Sequence, residues 1–390
     1  MMLQNVLYAI SSGWQHPACI DWKTLGEGFA MKKSIVSFLI CCIFSFATGE
    51  SSYAEYKALP ETHFAKKPTF ADVVVDTVRT DLTQIGSVRD LKMNIYRPEG
   101  MQGTIPVIIY VHGGAWNSGD YTCASLMEKD TGTNDPFFAC MRALDMGCAV
   151  VTADYRLSTE ALFPAMVWDL KGQIRFLRAN ASKYKVDPDR IIVWGQSAGA
   201  HLCNLLGTTH GVDELEGTVG GNLEHSSRPT AVVDYYGMTD LLDLAPDQYE
   251  RPYIIDPRAM YEQADAPSSS RAQVLGFNGK GEGLDVLRAH LGNPGSPYEN
   301  PASPYQEALY RAYLSCPLNF VDKNDCPFMI IYGGRDHRVA PQQSYELFEA
   351  LTKYGVEAYM FGTTTTTHGN QGEFAANCAL RFIKDQFGLE

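Results

Sequence analysis

The chain contains no apolar run long enough to cross a bilayer: its longest, Ser34 to Phe46, is thirteen residues, against the ~20 that a spanning helix needs. It also lacks clusters of Lys and Arg. With 32 basic residues against 45 acidic ones the net charge is −13, which argues against nucleic acid or an anionic membrane surface as partner. There is no Cys-x-x-Cys and no closely spaced set of histidines, so neither a zinc site nor any other metal or cofactor is expected. No internal repeat appears, and the one low-complexity tract is Thr363 to Thr367, which excludes solenoids and arrays. What remains is ordinary globular composition, 45% hydrophobic and 11% aromatic over 390 residues. That length could hold two or three average domains, but one core with an insertion is expected.

The N-terminal segment reads as a targeting sequence. Met31-Lys32-Lys33 is a basic start, Ser34 to Phe46 an apolar centre, and Ser45-Phe46-Ala47 carries small residues at the cleavage positions. Residues 31–47 therefore form a secretory signal peptide, translation is expected to start at Met31, and residues 1–30, with Asp21 and Glu27, are an extension outside it. The protein is expected to be secreted or periplasmic, with no stable membrane span in the mature chain. A lipid anchor at Cys41 or Cys42 is disfavoured, since neither follows a small residue. Of seven later cysteines, Cys148 and Cys203 fall in apolar patterns and read as buried thiols. Cys316 with Cys326, and Cys123 with Cys140, are the first pairs to expect in an oxidising compartment.

Residues 48–71 show no periodicity, and the fold is expected over 72–390. Asp72 to Leu82 and Leu91 to Arg97 alternate as edge strands, whereas Pro106 to Val111, Cys148 to Asp154, Ile191 to Trp194, Thr230 to Tyr236 and Pro327 to Tyr332 are continuous apolar runs of the kind buried in a parallel sheet. Amphipathic helices fit between them: Pro164 to Tyr184, Ala198 to Leu206, Gln342 to Tyr354 and, after the strand Glu357 to Phe361, Gly372 to Phe387. The alternation predicts an α/β fold, a mostly parallel central sheet with helices on both faces. The stretch at about 238–319, rich in Pro and Tyr, breaks the rhythm and is expected to form a cap before the seventh strand.

The chemistry concentrates on Gly195-Gln196-Ser197-Ala198-Gly199, which joins a buried strand to a helix. Small residues on either side of Ser197 permit a sharp bend, so the hydroxyl projects from the carboxyl edge of the sheet with the next amide facing the same point. A serine needs a base and a carboxylate to orient that base. Asp336 follows one strand and His368 the next, giving the order Ser197, Asp336, His368 of the α/β-hydrolases. His337 is adjacent to Asp336 and so badly placed to bond it while reaching Ser197; His201, one turn along the helix, reads as packing, and His112 as orienting the loop that follows it. That loop, His112-Gly113-Gly114-Ala115-Trp116, supplies backbone donors for an oxyanion: Gly114 and Ala115, with Gly113 a near miss, joined by Ala198. Trp116, Tyr235, Tyr236 and cap residues such as Tyr249 or Tyr253 are candidates for an aromatic acyl pocket, with core packing as an equal alternative.

HGGAW, Asp154 to Pro164 (DYRLSTEALFP), DPDRIIVWGQSAGAHL, Ser226 to Asp240 and IIYGGRDHRVAPQQS together resemble the bacterial feruloyl and acetyl-xylan esterase (BD-FAE-like) group of α/β-hydrolases, from about Val73 to the C-terminus. The resemblance implies a secreted carboxylic ester hydrolase without a cofactor, acting on a small ester or on ester decorations of plant oligosaccharides. Ala115 replaces a glycine common in this loop, and the insertion from Leu241 to Ser270 is longer than usual; both bear on acyl specificity. Rival readings are a kynurenine formamidase, which the signal peptide opposes, and a prolyl oligopeptidase-type peptidase, which would need a large N-terminal propeller. A non-catalytic binding module of the same fold would usually have lost a triad member.

Overall fold

The computed structural model describes residues 67–82, 85–129, 135–243, 265–277, 281–292 and 298–389. The expected signal peptide at 31–47, the extension before it, most of 48–71, and Tyr249 and Tyr253 lie outside the described residues. Eight strands form one sheet: β1 (Phe70–Arg79), β2 (Val88–Tyr96), β3 (Ile105–Val111), β4 (Ala149–Ala153), β5 (Val186–Gln196), β6 (Ala231–Tyr235), β7 (Phe328–Gly333) and β8 (Ala358–Thr363). Their order is β1-β2-β4-β3-β5-β6-β7-β8. β1 pairs antiparallel with β2 and β2 with β4, and every pairing from β4 through β3 to β8 is parallel. β3, β4 and β6 are buried at every residue, as the continuous apolar runs require of strands covered on both faces.

The pleat divides the core in two. Val107, Ile109, Val111, Ile191, Val193 and Val232 meet one set of helices: α2 (Ala165–Ala179), α3 (Ala198–Thr208) and α5 (Pro341–Lys353). Ile108, Tyr110, Ile192, Trp194, Val233 and Tyr235 meet the other: α1 (Pro136–Met141) and α6 (Glu373–Phe387). Helices cover both faces of a mostly parallel sheet.

Three expectations change. The strand expected over Ile191 to Trp194 is longer: β5 begins at Val186 and takes in the turn-prone Asp187-Pro188-Asp189. The pairing with β3 jumps from Ile105↔Val186 to Val107↔Ile191, so the four residues 187–190 form a bulge, held where Asp187 accepts from the Asp189 amide at 3.0 Å and from Arg190 Nε at 2.7 Å. Turn chemistry was present, but it interrupts the strand instead of preceding it. Second, the expected cap contains a core element. β6 and β7 are parallel neighbours and need a crossover of a dozen residues or more, usually helical. Among the described residues between them, α4 (Gln306–Ser315) is the longest helix and leads into β7, so the detour proper ends before it. Third, Cys316, Cys326, Cys123 and Cys140 are free, buried thiols; burial holds the Cys316 and Cys140 thiols well above the ordinary range.

Candidate active site

The elbow is built by close approach. A Cβ on Gly195 would lie 2.4 Å from the Gly199 carbonyl carbon, and one on Gly199 would lie 2.2 Å from the Val111 oxygen, so α3 can cross this tightly only over glycine. Ser197 itself has φ 54° and ψ −124°, a conformation that costs a non-glycine residue about 1–3 kcal/mol. Its amide donates to the Tyr235 oxygen at 2.9 Å, which pins the bend to the end of β6.

Loops after β7 and β8 complete the constellation. The Ser197 hydroxyl donates to His368 Nε2 at 2.9 Å, and His368 Nδ1–H donates to Asp336 Oδ2 at 2.7 Å; the proton positions follow from a carboxylate's being acceptor only. Asp336 is 1% exposed, and its other oxygen accepts from the amides of Arg338 at 2.8 Å and Val339 at 3.0 Å. Those two donors, which sequence reasoning did not single out, satisfy that oxygen and fix the buried carboxylate in direction. Tyr236 sits with φ 48° directly after β6, its ring 4.5 Å from His368 and its hydroxyl donating to Gln196 Oε1 at 3.3 Å.

On the opposite side of Ser197 lies the loop after β3. The nearest contacts of a Cβ on Gly113 would be the Gln196 oxygen at 3.1 Å and Ser197 Cβ at 3.4 Å, so the loop runs against the nucleophile. Gly114 (φ 110°), Ala115 (φ 53°) and Trp116 (φ 59°) follow in the left-handed region. The Ala198 amide opens α3 and has no partner within the helix. His112 donates from Nδ1 to the Gly113 oxygen at 2.7 Å and stacks on Tyr155 at 4.3 Å, whose hydroxyl donates to the His112 oxygen at 3.1 Å. Burial pushes His112 down to about 4, so it orients the loop as a neutral ring. Tyr155 was legible only as part of the Asp154-Tyr155-Arg156 run.

Two pocket candidates belong elsewhere. Trp116 is 0% exposed in the core shared with α3, and Tyr235 is 1% exposed in the core of the other face, stacked on Trp194 at 5.3 Å. Neither lines an open pocket, because strand parity and the left-handed turn send both rings inward. The Tyr236 ring, by contrast, packs against His368. Among the described residues no group of His, Cys, Asp or Glu could hold a metal, and no helix is long and apolar enough to cross a membrane.

The BD-FAE family model matches residues 93–276, and a model of the prolyl oligopeptidase family matches 286–388. The first stretch holds the loop after β3 and Ser197, the second Asp336 and His368. The chain has the α/β-hydrolase fold, with a BD-FAE-like stretch over 93–276. Carboxylesterase NlhH of Mycobacterium tuberculosis is 32% identical to this α/β-hydrolase over 117 residues, 30% of the chain and 33% of that protein; the match thus spans about a third of the curated relative. Among solved structures, a bifunctional GH43-CE protein of Bacteroides eggerthii is 28% identical with a TM-score of 0.57, covering 76% of this chain and 33% of that one. A truncated carbohydrate esterase from gut microbiota, 24% identical, has the same fold with a TM-score of 0.59, over 83% of this chain and all of that one.

Proposed function

We propose that this α/β-hydrolase is a serine carboxylic ester hydrolase in which Ser197 is the nucleophile, His368 the general acid and base, and Asp336 the group that orients His368. The observation that carries the reading is the unbroken hydrogen-bonded line from Ser197 through His368 to Asp336, set at the edge where a backbone loop and a helix N-terminus converge on Ser197. Ser197 Oγ attacks the ester carbonyl as its proton passes to His368 Nε2. The carbonyl oxygen, now an anion, takes hydrogen bonds from the Ala198 amide and from Gly114 and Ala115, each such donor being worth about 10²- to 10³-fold in turnover. Imidazolium then protonates the departing alcohol, and water, deprotonated by the same ring, releases the acid from the acyl-enzyme. No step needs a cofactor.

The substrates we propose are acetyl or feruloyl esters of plant oligosaccharides, and the site of action is outside the cytoplasm after export on residues 31–47. The named carbohydrate esterases of like fold and the signal-peptide pattern support these two points. The deciding test is steady-state hydrolysis by the full chain of 4-nitrophenyl acetate, methyl ferulate, acetylated xylan and N-formylkynurenine, with Ser197→Ala as control. Ester turnover lost in the variant is the expected result, and the preferred acyl group chooses between the acetyl and feruloyl roles. Cleavage of formylkynurenine alone would make the protein an amide hydrolase, and folded protein that turns over nothing would make it a binding module. An N-terminus near Thr48 on protein recovered outside the cytoplasm tests export.

A further inference from the structure

His201 stands one turn beyond Ser197 on α3, its amide donating to the Ser197 oxygen at 3.0 Å, and its ring is 0% exposed. Both ring nitrogens are taken by remote segments. Nδ1 accepts from Trp116 Nε1–H at 3.3 Å, and Nε2–H donates to the Ser315 oxygen at 2.7 Å. Only the neutral Nε2–H tautomer serves both partners, and burial pushes the imidazole down to about 4, which keeps it neutral at any ordinary pH.

Each partner belongs to something that needs holding. Ala115 and Trp116 are non-glycine residues with φ near 53° and 59°, a strained pair that persists only where the surroundings over-determine it. Trp116 is the anchor of that pair: its oxygen accepts from the Ser158 amide at 2.7 Å, and its indole meets His201 edge-on with ring centroids 5.3 Å apart. Ser315 is the last residue of α4, where a helix presents carbonyls without internal partners. Resting on the esterase reading, we infer that His201 is a positioning residue that ties the oxyanion loop, through Trp116, and the end of the crossover helix, through Ser315, to the helix that carries the nucleophile.

An interaction of this kind acts in the transition state, because the aim of the Ala115 amide matters most once the carbonyl oxygen carries charge. The experiment is steady-state hydrolysis of 4-nitrophenyl acetate by the full chain carrying His201→Phe, His201→Gln, Trp116→Phe and the double change His201→Phe with Trp116→Phe. His201→Phe and Trp116→Phe are each expected to lower kcat about 10²-fold with KM within about twofold, the size of one lost oxyanion donor. The double variant should be no worse than the poorer single one, since both cut one link, and His201→Gln, which offers a donor and an acceptor, should recover about tenfold over His201→Phe. Should His201→Phe fail to fold, Trp116→Phe and His201→Gln carry the same comparison. Folded single variants with unchanged kcat, a loss confined to KM, or additive losses in the double variant would overturn the inference alone. A wild-type chain that hydrolyses no ester would remove the esterase reading and this inference with it.

Discussion

The two sides of Ser197 are made of different materials. On one side Asp336 and His368 are side chains on short loops after β7 and β8, joined by two hydrogen bonds of 2.7 and 2.9 Å. On the other, Gly113 to Trp116 and the start of α3 are backbone, folded into left-handed conformations and packed so closely that a methyl group has no room at Gly114, Gly195 or Gly199. The side-chain half is sensitive to chemistry at constant shape. The backbone half is sensitive to shape at constant chemistry.

Substitutions separate these two sensitivities. The largest effect belongs to the side-chain half: Ser197→Ala or His368→Ala should lower kcat by about 10⁶-fold for 4-nitrophenyl acetate with the folding transition little changed, and residual turnover well above that would dissolve the distinction. Asp336→Asn keeps the shape but spoils the tautomer of His368, and should cost about 10⁴-fold in kcat. For the backbone half, Gly114→Ala should cost about 10²- to 10³-fold, because the added Cβ would stand 2.1 Å from the Ser118 oxygen in a residue with φ 110°. Gly113→Ala, whose Cβ meets its nearest neighbour at 3.1 Å, should cost much less; equal losses at the two glycines would show that crowding is not what matters there.

The smallest predicted effect is on stability against pH. Unfolded imidazoles bind a proton below about 6.5, whereas burial holds His201 and His112 down to about 4 in the fold. Between those values the unfolded chain carries more protons, so the contribution is complete above about 6.5 and is lost as the pH falls toward 4. Asp234, raised to about 6 by burial with Asn204 Nδ2 at 2.8 Å and the Gly237 amide at 2.6 Å as its partners, works in the opposite sense: it takes up a proton first in the fold and favours it in acid. Asp325, pushed up to about 7 by burial, acts in the same sense as Asp234, so the net slope belongs to all of these groups and the His201 share is read by difference. Relative to the wild-type chain, His201→Gln should retain more of its urea midpoint on going from about pH 7 to 5, and an unchanged difference would contradict a neutral buried His201.

Legibility in the sequence follows the same division. The glycine spacing around Ser197 and the continuous apolar strands state local requirements, and local requirements can be read without partners. Asp336 and His368 were legible because a parallel sheet delivers the ends of β7 and β8 to one edge. Trp116 and Tyr235 were not assignable, because which face of the sheet a residue enters depends on register and on a left-handed turn. His201 looked like packing, since its partners lie 85 and 114 residues away and no periodicity connects them. The cysteine pairs could not be settled from spacing, which contains no information on whether two sulfurs approach.

The crossover between β6 and β7 has a bearing on how such a chain can be altered. Because a parallel pair demands a crossover and α4 supplies a helix for it, strand order does not depend on how long the rest of that connection is, although Tyr236 at its start belongs to the site and the buried Ala272, Val274, Leu284 and Leu287 belong to the core. Trading that segment for one from another scaffold should leave strand order intact. The seam of such a graft belongs ahead of Gln306, so that α4 still ends with a carbonyl facing His201.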